Sequence, residues 1–262
     1  MLKLSANLGF LWRDLALPDA IRAAGAAGFD AVECHVPYAF PAQDVRAALD
    51  ETQLEMVSLN TRMGGYLSGV GDDLGEAAVP GREGAARRDI DEAIEYARAI
   101  GCRAVSVIAG RTGRTDEAEA TFRSNLTYAA EAADPLGITI LIEPLNTNVC
   151  EDYHLVSADR GVETIAAVGA PNLKLMVDYY HLFVMEAEPR EVLERAVPVM
   201  GHFQFASIPD RSEPDGGNVD FGQLLAWLMT QGYDGYFGAE YNPAGPVEAG
   251  LGWMNTIRKA NT

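Results

Sequence analysis

The chain has 262 residues, 48% of them hydrophobic and 22% charged, and its 38 acidic against 20 basic side chains give a formal net charge of −18. So acidic a balance excludes a surface built to hold nucleic-acid phosphates, which needs clustered Lys and Arg. The lack of any run of about 18 apolar residues excludes a helical membrane span.

The opening Met1-Leu2-Lys3-Leu4-Ser5-Ala6-Asn7 turns polar where a secretory leader is apolar, so a cytoplasmic protein is expected. Short apolar or β-branched runs then recur along the chain: Lys3 to Leu8, Ala31 to Val36, Glu55 to Asn60, Ala104 to Ala109, Thr139 to Leu145, Lys174 to Asp178, His202 to Ala206 and Tyr236 to Tyr241. Helical signals separate them. Leu17-Pro18-Asp19 opens a helix that ends near Gly28. Between Arg82 and Ile100 the positions Ile90, Ala93, Ile94, Ala97 and Ile100 fall on one face, with Gly101 past the end, and Asp116 to Ala133 makes another helix. Eight strands alternating with helices predict an α/β fold with a parallel sheet closed into a single (β/α)₈ TIM barrel, one domain over residues 1–262; a doubly wound open sheet is the rival. Thr61 to Gly81, rich in Gly and without periodicity, is long for a connection and is expected on the C-terminal face as a lid or a contact in a homo-oligomer. Cys34, Cys102 and Cys150 fit neither a disulfide framework nor a metal knuckle and are expected to be idle thiols.

Polar residues cluster at the strand ends: Glu33, Asn60, Glu143, Asp178, Gln204 and Glu240. In a barrel these ends converge on one mouth, where the active sites of this fold lie. Strands buried on both faces read as apolar runs, so a Glu after Leu141-Ile142 must be paired or metal-bound. Glu143, Asp178, Gln204 and Glu240 form an oxygen-rich set suited to Mg²⁺ or Mn²⁺ rather than Zn²⁺. Salt-bridged structural polars are the alternative. Glu143 and Glu240 are also the candidates to carry a proton between carbons of a hydroxy-carbonyl substrate through an enediolate. His181, three residues past Asp178, Arg211 in the loop after the seventh strand, and Asn60 are candidate substrate contacts. Arg211 can clamp a carboxylate bidentately or pair with Asp210 or Glu213. His202 shares a strand face with Gln204 and is assigned a structural role; His35 and His154 carry no pattern.

Ser5-Ala6-Asn7-Leu8, Gly28-Phe29-Asp30-Ala31-Val32-Glu33, Pro80-Gly81-Arg82-Glu83, Ile142-Glu143-Pro144-Leu145-Asn146, Asp178-x-x-His181, Gly201-His202-Phe203-Gln204 and Glu240-Tyr241-x-Pro243 together resemble the hydroxypyruvate isomerase family. That family includes the 2-oxo-tetronate isomerases and belongs to the xylose-isomerase-like barrels, and the match runs to Gly250-Leu251-Gly252-Trp253. The resemblance implies aldose–ketose interconversion of a short hydroxy-oxo acid, with the paired glutamates at Glu143 and Glu240 and the metal positions at these two with Asp178 and Gln204. The segment Ala206 to Asp215 is similar to the tetronate branch. Ketose 3-epimerases acting on neutral sugars usually show His at the position of Gln204. Two positions depart from the family: Asn218 stands for a Glu, and Asn242 for a Lys expected between Tyr241 and Pro243. The loss of that Lys weakens the argument for an acidic substrate. A metal-dependent endonuclease of abasic DNA shares the barrel, but the charge of −18 opposes it.

Overall fold

A computed structural model describes residues 2–63, 74–186 and 188–261. In chain order its elements are β1 (Leu4–Asn7), α1 (Leu17–Ala26), β2 (Ala31–Glu33), α2 (Ala42–Thr52), β3 (Glu55–Met56), β4 (Ser58–Asn60), α3 (Glu83–Ile100), β5 (Ala104–Ser106) and α4 (Asp116–Ala133). There follow β6 (Thr139–Ile142), α5 (Ala158–Val168), β7 (Leu173–Asp178), α6 (Tyr179–Met185), α7 (Pro189–Ala196), β8 (Met200–Phe205), α8 (Phe221–Thr230), β9 (Phe237–Ala239) and α9 (Gly252–Ala260). All strand pairs are parallel, and β1 pairs with both β2 and β9, which rules out the open doubly wound sheet. The expected third strand is split at Val57. Its first half pairs with β2 and its second with β5, so the segment joins the two ends of the sheet and brings the barrel close to closure. Val57 N donates to Val32 O (2.8 Å), and Cys34 N to Ser58 O (3.1 Å).

Local chemistry fixes the helix ends, and α1, α3 and α4 fall where the sequence predicts them. Thr115 caps α4 by accepting from Ala118 N, Ser157 caps α5 and Asp220 caps α8 in the same way. Gly101 ends α3 at φ 74°, a left-handed conformation that costs glycine little. The long connection beginning at Thr61 is partly described. Gly75 bridges Ala109, and Ala78 N donates to Ala109 O (2.6 Å), tying its end to the segment after β5. Residues 64–73, and with them the expected lid or oligomer contact, lie outside the described residues. No helix among the described residues is long and apolar enough to cross a membrane.

Strand parity divides the barrel chemically. On β8, Phe203 and Phe205 face outward and pack edge-on or tilted against Tyr179, Phe221, Phe237 and Trp253. These residues belong to the main core between strands and helices. His202 and Gln204 face inward, toward Glu33. The inner face carries a small separate apolar cluster of Ala104, Leu141 and Met176. Two residues further along those same strands come Ser106, Glu143 and Asp178. The lumen is thus apolar at one level and polar at the next, toward the C-terminal strand ends.

Gly238 shows how little room the polar level has: a Cβ there would come within 2.6 Å of Glu33 Oε1 and 2.9 Å of Gln204 Cγ. Both neighbours are held by hydrogen bonds, so the clash cannot be relieved by swinging one of them away. Gly238→Ala is expected to lower stability by about 1–3 kcal/mol, the ordinary cost of overpacking. Urea denaturation checks this, with the midpoint falling and the slope unchanged.

Candidate active site at the strand ends

A cavity of about 290 Å³ opens at the C-terminal ends of the strands, lined by Asn60, Glu143, His181, Arg211 and Glu240 together with Phe10, Arg13 and His35. The structure therefore brings five of the seven sequence-derived candidates onto one cavity wall. Asp178 joins them through Arg211, whose Nη2 donates to Asp178 Oδ2 (2.8 Å) and to Glu240 Oε1 (2.6 Å). Gln204 joins through Glu240, to whose Oε2 its Nε2 donates at 2.6 Å.

The junction of β7 and α6 positions two of these groups at once. Asp178 is the last strand residue and also the N-cap of α6: its Oδ1 accepts from Tyr180 N (2.8 Å), which leaves Oδ2 for Arg211. His181 falls on the first turn of the same helix. Its Nδ1 accepts from the backbone N of Asn146 (3.0 Å) and faces the Asn146 side-chain amide (2.8 Å). Nδ1 is thus an acceptor, and burial first, then Arg211, depress the His181 pKa to about 3. The ring is neutral with its proton on Nε2, a donor that faces Asp178 Oδ2 at 3.5 Å.

Arg211 is held as firmly. Its backbone is left-handed at φ 52°, an uncommon state for a residue with a side chain. Ser207 and Ser212 close the loop around it, since Ser207 N donates to Ser212 O and Ser212 N to Ser207 Oγ. Asn242, which stands where a Lys was expected, donates its backbone N to Arg211 O (2.7 Å) and so anchors the loop from the β9 side. The guanidinium lies over Phe10 (4.8 Å) and Tyr180 (4.9 Å), two cation–π contacts in a site that is only 12% exposed at this side chain.

The carboxyl groups share charge unevenly. Burial, reinforced by Glu240 and Asp178, pushes Glu143 well above the usual carboxylate range. Asp178 is raised to about 7, again chiefly by burial, against the pull of Arg211. Burial opposes ionisation of Glu240 too, but His35 and Arg211 outweigh it and hold Glu240 at about 2. Glu240 is the anion of the set, and Asn7 Nδ2 donates to it at 2.5 Å.

The residues fit a hard divalent cation. Glu143 Oε1 and Gln204 Oε1 are buried acceptors with no hydrogen-bond partner among the described residues, and the remaining donors are carboxylate oxygens. Oxygen and nitrogen atoms of Glu143, Asp178 and His181 also lie within 4.8 Å of one another. The Nε2–H tautomer makes His181 a hydrogen-bond donor rather than a cation ligand. Three site residues escaped the sequence reading. Arg13 and Phe10 come from the β1–α1 loop, which has no motif. His35, whose Nε2 is 3.8 Å from Glu240 Oε2, lies two residues past Glu33 and on the same strand face, a signal that could have found it.

Residues 21–257 match the family described as xylose isomerase-like TIM barrel. The chain is 40% identical to a 2-oxo-tetronate isomerase of Cupriavidus necator over 257 residues, 97% of this chain and 98% of that one. It is 38% identical to a putative hydroxypyruvate isomerase of Danio rerio, over 97% of this chain and 94% of that one. Among solved structures, one described as an AP endonuclease, family 2, from Brucella melitensis superimposes with a TM-score of 0.92 at 36% identity, covering 98% and 99% of the two chains. A D-allulose 3-epimerase from Methylomonas sp. shares the fold alone, with a TM-score of 0.76 at 21% identity over 98% and 90%. The inward carboxyl groups at one barrel mouth and full-length similarity together identify the chain as a member of the xylose-isomerase-like TIM-barrel family, within its group of hydroxypyruvate and 2-oxo-tetronate isomerases.

Proposed function

We propose that the protein is an isomerase that moves a carbonyl between neighbouring carbons of a small hydroxy-oxo acid, hydroxypyruvate with tartronate semialdehyde or 2-oxo-tetronate with 3-oxo-tetronate. The observation that carries this reading is the placement of Glu143 and Glu240 on one cavity wall beside Arg211, with Asp178 bound to Arg211 and Gln204 to Glu240 directly behind them. Similarity to the isomerases of Cupriavidus necator and Danio rerio supports the substrate class.

Glu143, Asp178, Gln204 and Glu240 would hold the cation. When bound, Mg²⁺ or Mn²⁺ supplies Lewis-acid polarisation of the substrate's oxygens. The chain's own residues do the rest. One of the two glutamates takes the proton from the hydroxyl-bearing carbon, and a glutamate returns it to the adjacent, former carbonyl carbon. The hydroxyl proton passes to the other oxygen, so that no atom is gained or lost. Glu240, held as an anion, is equipped to accept the proton; Glu143, on the same cavity wall, is the second candidate carrier. His181 donates from Nε2 to a substrate oxygen. Arg211, with Arg13 on the same cavity wall, supplies the positive charge that an acidic substrate needs against a net charge of −18. Leu74, Ile108, Leu145 and Val149 line the cavity with apolar surface that limits water. The net charge also opposes a role on abasic DNA.

Deuterium exchange in D₂O with Mn²⁺ or Mg²⁺, followed by NMR, tests the reading. Exchange and product formation are expected with hydroxypyruvate or 2-oxo-tetronate, and Glu143→Gln and Glu240→Gln are each expected to lower kcat at least 10²-fold. Unimpaired turnover in either variant would sink the proton-transfer assignment. Exchange confined to neutral ketoses, with Arg211→Ala scarcely affecting it, would point to a 3-epimerase instead.

The carboxyl pKa values predict a pH signature in protein stripped of metal by a chelator. Asp178 is raised in the folded state from 3.8 to about 7. Stability from this group is therefore fully present below about pH 4 and is lost as the pH rises through 7, by on the order of a few kcal/mol. Relative to Asp178→Asn, the stripped wild type is expected to lose stability as the pH rises from 4 to 8, a comparison that removes the opposite contribution of His181, whose pKa falls to about 3; added Mn²⁺ is expected to restore the wild type by mass action. A stability difference between wild type and Asp178→Asn that does not change with pH would refute the assignment.

A further inference from the structure

An amide is a poor ligand unless something fixes it. The two ends of a Gln side chain have nearly the same shape, but only Oε1 can bind a cation, and a flip presents NH₂ in its place. In this site the flip is controlled from below. Gln204 Nε2 donates to Glu33 Oε1 (2.8 Å) and to Glu240 Oε2 (2.6 Å), and Oε1 is left buried and without a partner. Carboxylate oxygens only accept, so both neighbours demand the NH₂ end.

Glu33 does not line the cavity and is 1% exposed, yet it is tethered from two strands, β1 and β8. Its Oε1 accepts from Asn7 Nδ2 (3.1 Å) as well as from Gln204; its Oε2 accepts from Ser5 Oγ (3.3 Å) and meets His202 Nε2 at 2.5 Å. Gly238 packs so closely over the carboxyl group that no side chain fits there. The Glu33 carboxyl group therefore has one orientation, and it passes that orientation on to Gln204. Asn7 repeats the arrangement, since its Nδ2 also spans Glu33 Oε1 and Glu240 Oε2.

We propose that Glu33 is a positioning residue: from beneath the cavity it fixes the Gln204 amide with Oε1 as the free acceptor, and thereby sets the site's affinity for a divalent cation. The inference rests on the reading of Glu143, Asp178, Gln204 and Glu240 as the cation-binding set. Removing the carboxylate leaves an amide facing an amide. Such a pair is satisfied in either sense, so the preference for Oε1 is reduced to what Glu240 alone enforces.

The test is direct titration of chelator-stripped protein with Mn²⁺, read by the loss of the free-ion EPR signal and independent of turnover. Glu33→Gln is expected to weaken Mn²⁺ binding about 10–100-fold, the usual loss when a group that orients a ligand is removed. In a Gln204→Ala background, which has no amide to orient, Glu33→Gln is expected to cost no further Mn²⁺ affinity. That loss of effect is what separates orientation from mere support. A further loss in E33Q/Q204A relative to Q204A would overturn the proposal, as would unchanged affinity in E33Q. If E33Q does not fold, E33Q/Q204A against Q204A decides alone, with equal binding in support and weaker binding against. Glu143→Gln serves as the control. Loss in E143Q with none in E33Q would refute the role of Glu33 and leave the cation site standing. No Mn²⁺ binding by the wild type, or full binding by E143Q, would sink the cation site and this inference with it.

Discussion

Four carboxyl groups, Glu33, Glu143, Asp178 and Glu240, share the lumen of one barrel with the half-buried guanidinium of Arg211. The strands are parallel and covered by helices on the outside, and an apolar cluster lies below, so water approaches this level from the barrel mouth alone. Charge must then be balanced locally by hydrogen bonds, by retained protons or by a cation. Two of these remedies are visible. Glu240 collects donors from Asn7, Gln204 and Arg211 and stays ionised; Glu143, with an oxygen left unpartnered, holds its proton more tightly.

The same constraint explains why the polar level is built in two tiers. The upper tier faces the cavity and is free to meet substrate. The lower tier, Ser5, Asn7, Glu33 and His202, makes contacts only within the barrel and limits how the upper tier can turn. Below both, Ala104, Leu141 and Met176 close the lumen with apolar side chains. A polar network this deep is useful only if nearly every member is satisfied, and that requirement specifies rotamers more sharply than packing alone.

Much of this could be read from the sequence, and the limits have physical causes. The strands were legible because each buries an apolar outer face, as Phe203 and Phe205 do; the inner residues stood out against that background, which is how Glu143, Asp178, Gln204 and Glu240 were found. The break at Val57 was not legible, since it reflects which neighbour each half of one strand pairs with. The connection of Asn7, Glu33, Gln204 and Glu240 was equally hidden: the four come from β1, β2, β8 and the end of β9, and only barrel closure makes them neighbours. Arg211 was visible as a cation in a loop but not its partners, because Asp210 and Glu213 are nearer in sequence than Asp178 and Glu240. Arg13 and Phe10 carry no periodicity at all.

Arg211 also changes what the missing Lys means. An Asn at position 242 removes a flexible cation from the mouth, but its backbone N–H secures the carbonyl of Arg211, whose guanidinium packs against Phe10 and Tyr180. A planar guanidinium held against two rings loses little further freedom on meeting a planar carboxylate, whereas a Lys must give up the entropy of a four-carbon stem. Specificity for an acid can therefore rest on a rigid guanidinium in place of a mobile ammonium. Because Arg211 already neutralises Asp178 and Glu240, any anion that recruits it must compete with those two carboxylates, and a cation that takes over their charge lowers the cost of that exchange. On this argument metal and acidic substrate favour each other's binding through Arg211, a coupling that a neutral sugar would not share.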